Sequence, residues 1–225
     1  MDRLNQIEGI NKQTTWFVLI TQTIMMGWSI LASIYHLGSN QAFILTIGGF
    51  IVYLGYGLIT KNELFNKILL FGLIAGILEL LADRYSVVTI GALVYPSGET
   101  MLLNSPAYMP FSWAVALTQL GYYSLLLIRW KGMNLATWVM MLSGGMYIPL
   151  YEHLAKGADW WYYRDVSMIF NAPYYIIICE ALVSLTLPMA MYYVAIRKKW
   201  FALILGAIVG FWILVSAMLA YKIYP

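Results

Sequence analysis

Seven apolar runs, each about as long as a bilayer is thick, divide the chain at 14–37, 42–60, 66–88, 108–129, 133–154, 172–196 and 200–222. A helix needs roughly 20 apolar residues to cross the hydrocarbon core. Seven such runs in series leave a soluble fold no surface to present to water. The composition bears on the same point: 62% of residues are hydrophobic and 10% charged, against roughly 25% charged in an ordinary soluble domain. Disorder and nucleic-acid binding are excluded by these numbers. The single cysteine, Cys179, rules out an intramolecular disulfide or a cysteine-based metal site. Only His36 and His153 supply imidazoles, so no metal centre is expected. The chain reads as one all-α integral membrane domain over residues 1–225, a polytopic bundle of seven transmembrane helices. Its first run is too long for a signal peptide and lacks a cleavage-type end, so it reads as a retained span. The polar stretch Met1 to Gln13 is expected to form a short interfacial helix.

Lysine and arginine orient such a bundle, because basic residues are retained on the cytoplasmic side. With seven spans, the N-terminus shares a side with loops 61–67, 129–132 and 197–199. That side holds nine of the thirteen basic residues, from Arg3 and Lys12 to the Arg197-Lys198-Lys199 run. The other side holds Arg84, Lys156, Arg164 and Lys222. The expected orientation is N-terminus inside, C-terminus outside, in the cell membrane. Seven of the ten acidic residues fall on or toward the outer half. Topology does not require that bias, so it points to function.

The outer loops, 89–107 and 155–171, are also the elaborate ones. Ile90 to Tyr95 is apolar enough to lie against or dip into the membrane, and Asp159 to Arg164 is an aromatic run suited to the headgroup layer. A faint duplication runs through this half. Glu79-Leu80-Leu81-Ala82 followed by Asn104-Ser105-Pro106 matches Glu152-His153-Leu154-Ala155 followed by Asn171-Ala172-Pro173. The implied repeat spans 66–131 and 133–199, with Trp113 and Glu180 each seven residues after their proline. In each copy, Asn is expected to cap the returning helix and Pro to sit in its first turn. The simpler reading is that any outer helix start uses such residues. If the repeat is genuine, a site is expected at the interface of its copies.

Ionisable residues inside spans are costly and mark functional sites. Glu180 lies nine residues into span 6 and Glu79 nine residues before the end of span 3, both roughly 13 Å deep by helical rise. Asp83 stands one turn above Glu79 on the same face. A carboxyl kept from water favours its neutral, proton-carrying form, and two carboxyls in different environments divide the work of acid and base. The structural alternative is a hydrogen bond that glues neighbouring spans. Glu152 and His153 read as the solvated end of span 5, Gln22 and Gln119 as interhelical glue, and Cys179 as a small apolar filler. The candidate catalytic residues are Glu79, Glu180 and Asp83. The candidate substrate-binding residues are Trp113, Tyr95, Tyr108, Tyr147, Tyr151, Trp161, Tyr175, Asn104 and Asn171. An aromatic belt and core packing account for many of these rings, yet a pocket walled by them would also hold a carbocation.

The arrangement Glu79…Tyr95-Pro96…Pro106…Trp113, echoed by Glu152…Trp160-Trp161…Pro173, resembles membrane carotenoid hydratases of the bisanhydrobacterioruberin type. Seven short-looped spans with two intramembrane acids are also similar to the integral membrane terpene cyclases of meroterpenoid pathways. Both resemblances, carried by roughly residues 72–182, imply acid-initiated chemistry on an isoprenoid double bond or epoxide without metal or organic cofactor. The expected ligand is an apolar isoprenoid or lipid within membrane lipids, with no nucleic-acid partner. Two other classes stand beside the enzyme: a proton-coupled carrier, and a non-catalytic subunit that holds lipid or pigment. A retinal protein is disfavoured because no lysine lies mid-span.

Overall fold

The computed structural model describes residues 9–225. Among them are seven long helices: α1 (Lys12–Tyr35), α2 (Ser39–Ile59), α3 (Glu63–Arg84), α4 (Met109–Lys131), α5 (Met133–Gly157), α6 (Tyr174–Ile196) and α7 (Trp200–Ile223). Each falls on one of the seven apolar runs. Six are long and apolar enough to cross a membrane. The seventh, α5, has the length, but Gly144, Gly145, Tyr147, Tyr151, Glu152 and His153 lower its hydropathy. The expected interfacial helix of 1–13 falls mostly outside the described residues. Its last two positions, Lys12 and Gln13, open α1 instead, where the Asn11 side chain accepts from the Thr14 amide at 2.8 Å.

The helix boundaries have local causes. Asn62 caps α3 by accepting from the Phe65 amide at 3.0 Å, and His36 closes α1 in a left-handed conformation. The α4–α5 turn is the single residue Gly132, whose φ of 87° suits glycine.

Helix α3 is the hub, packed against α4 on one side and α7 on the other. Two small-residue pairs allow this. A Cβ added at Gly72 or Gly76 would run into the α4 backbone at Ala114 and Pro110, and one at Gly206 or Gly210 into the α3 backbone at Phe71 and Ala75. Such spacing lets membrane helices approach closely without a hydrophobic driving force. Helices α5 and α6 form a second tight pair, joined to the first through α7. Helices α1 and α2 lie outside: 17% and 22% of their apolar windows are buried, against 61% for α3 and α4. The outer two therefore form a looser wall around a tight centre.

The loops after α3 and after α5 hold all the strand structure among the described residues. Beyond α3 the chain makes a π-helical turn, Tyr85–Ile90, then β1 (Leu93–Val94), β2 (Met101–Leu102) and β3 (Ser105–Pro106). Beyond α5 come β4 (Tyr162–Tyr163), β5 (Met168–Ile169) and β6 (Ala172–Pro173). β2–β3 and β5–β6 are hairpins of identical register, Met101 opposite Pro106 and Met168 opposite Pro173. Each is followed by an equivalent backbone bond, Ala107 N to Thr100 O and Tyr174 N to Ser167 O. β1 pairs antiparallel with β4, tying one loop to the other.

Four sequence expectations change here. Asn104 and Asn171 are not helix caps: each sits in the two-residue turn of its hairpin, and neither α4 nor α6 has a side-chain cap. Pro106 and Pro173 end the hairpins, and it is Pro110 that occupies the first turn of α4. The apolar segment after Ile90 does not lie on lipid, because Ala92 and Leu93 are buried in the protein core. Trp160 and Tyr163 likewise turn inward rather than into the headgroup layer, with the Trp160 indole donating to the Gly38 carbonyl at 3.0 Å.

Candidate active site

The ends of α3 and α5 and the starts of α4 and α6 converge under the paired loops. Gly76 brings α3 against α4, and one turn further on the chain presents Glu79 and then Asp83. Together with Glu152 from α5 and Glu180 from α6, these line one narrow cavity of about 460 Å³ of atom-free space. Trp113, Trp161, Tyr95 and Tyr163 supply its aromatic walls. Among the described residues, no lysine, arginine or histidine lines it. Glu79, Asp83 and Glu180 are each at least 92% removed from solvent.

The four carboxyls are not equivalent. Asp83 Oδ2 accepts from the Tyr95 hydroxyl at 2.5 Å, and Glu152 Oε2 accepts from the Trp161 indole N–H at 2.6 Å. Each of these acids is therefore fixed by an aromatic donor from the loop that follows its own helix. Glu79, within electrostatic reach of the other three, has a buried Oε2 that meets no hydrogen-bond partner among the described residues. Burial, and then Asp83 and Glu79 beside it, push the Tyr95 phenol well above its ordinary pKa; burial and Glu152 do the same for Tyr163. Both phenols thus stay protonated, and Tyr95 stays a donor. Among the described residues no three metal-ligating side chains are placed to hold a metal ion.

A second, larger space adjoins the first, lined from α1, α2, α4 and α5 and enclosing about 760 Å³, its open mouth included. Met109, Trp113, Glu152 and Trp161 line both spaces and form the partition between them. Tyr147 and Tyr151 belong to this chamber rather than to the acid cavity.

The remaining candidates lie elsewhere. Tyr108 packs in a separate cluster with Ala42, Leu80 and Trp160, its hydroxyl 3.5 Å from Glu99. Tyr175 is fully buried against Tyr163 and Tyr221 and lines neither space. Asn104 accepts from Arg84 Nη1 at 2.9 Å, and Asn171 bonds His153 Nδ1 at 2.9 Å, both on the exposed hairpin turns. Sequence reasoning treats Glu152 as a solvated helix end, but the fold sets it in the wall of the acid cavity. The usable signal is its alignment with Glu79 in the duplication. Tyr163 and Cys179 also line the cavity, and nothing in the local sequence sets them apart.

Residues 80–224 match the family described as a domain of unknown function, DUF6989. The chain belongs to that family. The matched stretch takes in Asp83, Glu152, Glu180 and both hairpins, and begins one residue after Glu79. Among curated proteins and solved structures nothing matches.

Proposed function

We propose that this DUF6989 protein is a membrane enzyme that performs acid-initiated cyclisation or hydration of an isoprenoid. The observation that carries the reading is the cluster of four carboxyls with no cation in its lining, walled by aromatic faces and separated by shared side chains from a largely apolar chamber. Glu79, whose Oε2 has no protein partner, transfers its proton to a substrate double bond or epoxide oxygen. The carbocation so formed lies against Trp113, Trp161 and Tyr95, whose ring faces attract positive charge. Glu180 takes the proton released on ring closure, or the one released when water adds to the cation. That proton returns to Glu79 across the shared cavity, so the cycle closes without a net change in the protein. Asp83, held by Tyr95, fixes the electrostatic setting of Glu79.

The same reading takes all seven helices as spans, with the N-terminus inside, the C-terminus outside and α3–α4 and α5–α6 as parallel copies. Reagent applied to intact cells is expected to label a cysteine at Ser97 and spare one at Lys61, and the opposite pattern inverts the topology. Mass spectrometry of copurifying lipids identifies the substrate. With that substrate, Glu79→Gln and Glu180→Gln are expected to leave a folded protein whose product formation falls at least ~100-fold. Full activity in both variants overturns the assignment of the chemistry to these acids, and a substrate-class lipid that copurifies without any turnover moves the protein to the class of non-catalytic lipid- or pigment-binding subunits.

A further inference from the structure

The chamber beside the acid cavity has a polar far end that acid chemistry does not use. It runs along α4 from Trp113 to Gln119 and along α5 from Glu152 back to Tyr147, roughly 9 Å inward by helical rise. The lining near the partition is largely apolar or aromatic, whereas Gln119, Tyr147 and Tyr151 converge at depth. Gln119 is 2% exposed and held in place, its amide N–H donating to the Tyr53 hydroxyl at 3.0 Å while Tyr53 also bonds Thr21 at 2.8 Å. Within this buttress the two remaining phenols are loosely held on the chamber side. Tyr147 bonds Gln22 of α1 away from the chamber, and it stands 3.5 Å from Gln119 Oε1 and 3.5 Å from the Tyr151 hydroxyl, both at the outer limit of hydrogen bonding. Ser29, the hydroxyl neighbour of Tyr151 on α1, already donates to the Met25 carbonyl at 2.9 Å. Buried polar groups are otherwise paired almost without exception. Here two hydroxyls and an amide oxygen face an apolar chamber with hydrogen-bonding capacity left over.

We infer that Gln119, Tyr147 and Tyr151 form a receptor for an oxygen atom at the end of the substrate remote from its reacting double bond. The ligand class is an isoprenoid bearing a hydroxyl or carbonyl group, rather than a pure hydrocarbon. A carbonyl oxygen accepts from either phenol, and a hydroxyl also donates to Gln119 Oε1. The carbon chain then fills the chamber, and its far double bond passes the Trp113–Trp161 partition to meet Glu79. This inference rests on the proposed function for its substrate, but it concerns binding and is read without turnover.

The test is tryptophan-fluorescence titration of the full chain in detergent with geranylgeraniol and with the C20 hydrocarbon that lacks only its hydroxyl. Trp113, Trp160 and Trp161 line the chamber and report occupancy. The alcohol is expected to bind about tenfold more tightly, the scale of one well-made buried hydrogen bond. Tyr147→Phe combined with Tyr151→Phe is expected to abolish the preference while leaving hydrocarbon binding intact. If the double variant misfolds, Gln119→Leu or Tyr151→Phe alone is expected to reduce the preference. Equal binding of the two probes, binding of neither, or a preference that survives the phenylalanine substitutions overturns the inference. Failure of the acid-chemistry reading looks different: Glu79→Gln then retains full turnover, and the preference for the alcohol stands unchanged.

Discussion

The two arms that meet at the acid cavity, α3–hairpin–α4 and α5–hairpin–α6, share a backbone plan and differ in side chains. In each, a helix runs outward, ends in an acid, and is followed by a loop whose aromatic residue donates to that acid: Tyr95 to Asp83 in one, Trp161 to Glu152 in the other. In each, a hairpin of the same register leads back to a helix whose residue seven after the proline faces the cavity. That residue is Trp113 in the first arm and Glu180 in the second. The first arm also brings a second acid into the cavity, Glu79, whose buried Oε2 meets no partner among the described residues. The scaffold thus determines where side chains meet, and the departures from likeness between its arms determine the chemistry. Aromatic faces from one arm confront a carboxyl from the other.

The largest effect expected from breaking this asymmetry is catalytic. Glu79→Gln removes the carboxyl that lacks a donor and is expected to lower product formation at least ~100-fold. Glu152→Gln keeps an oxygen for the Trp161 indole and is expected to lose far less activity. His153→Ala, bonded only to the exposed Asn171 turn, is expected to cost little. Equal losses in the two Gln variants would erase the functional difference between the arms.

Next in size is the structural likeness. Tyr95→Phe and Trp161→Phe each take from a carboxyl its close aromatic donor, leaving Ser105 and Glu79 beside Asp83 and Tyr163 beside Glu152, and each is expected to cost about 1–3 kcal/mol in detergent-based unfolding. Similar values confirm that the two loops do the same work. A value near zero for one shows that its acid finds another partner. Smaller still is the contrast between the hairpin turns. Both central residues of the first turn, Leu103 and Asn104, have positive φ, whereas in the second only Phe170 does. Asn104→Ala places an alanine in the left-handed region and is expected to cost about 1 kcal/mol; Asn171→Ala avoids that penalty.

The smallest effect is a pH dependence in the first loop. Burial holds the Glu99 carboxyl above its ordinary pKa, partly offset by bonds from Ser39 and Tyr108. A group raised in the folded state contributes stability at acid pH, and that contribution is lost as pH rises through the folded value. Glu99→Gln is therefore expected to raise the melting temperature slightly at neutral pH and to leave it unchanged below the ordinary glutamate pKa of about 4.3.

How much of this was legible in the residues differs by level. The helices were, because a 20-residue apolar run has few other uses, and Glu79, Asp83 and Glu180 were, because a membrane makes a carboxyl conspicuous. The hairpins were not. Met101 to Pro106 and Met168 to Pro173 share the order Met, two apolar residues, Asn, a small residue and Pro, but six residues between spans resemble any polar turn until their pairing is seen. Glu152 was misread for a related reason. Near a helix end, sequence alone does not tell a side chain that meets water from one that meets an indole folded back from nine residues away. The chamber was least legible, since its walls come from four helices that only tertiary packing brings together.

The pairing of β1 with β4 has a mechanical consequence. Leu93 and Tyr163, opposite each other in that ladder, are both buried, and Arg164 N bonds Ala92 O at 2.9 Å beside them. Lifting either loop alone breaks this ladder and uncovers a buried side chain, Leu93 or Tyr163. The two loops therefore cover the acid cavity as one unit, and a change in either is felt by both.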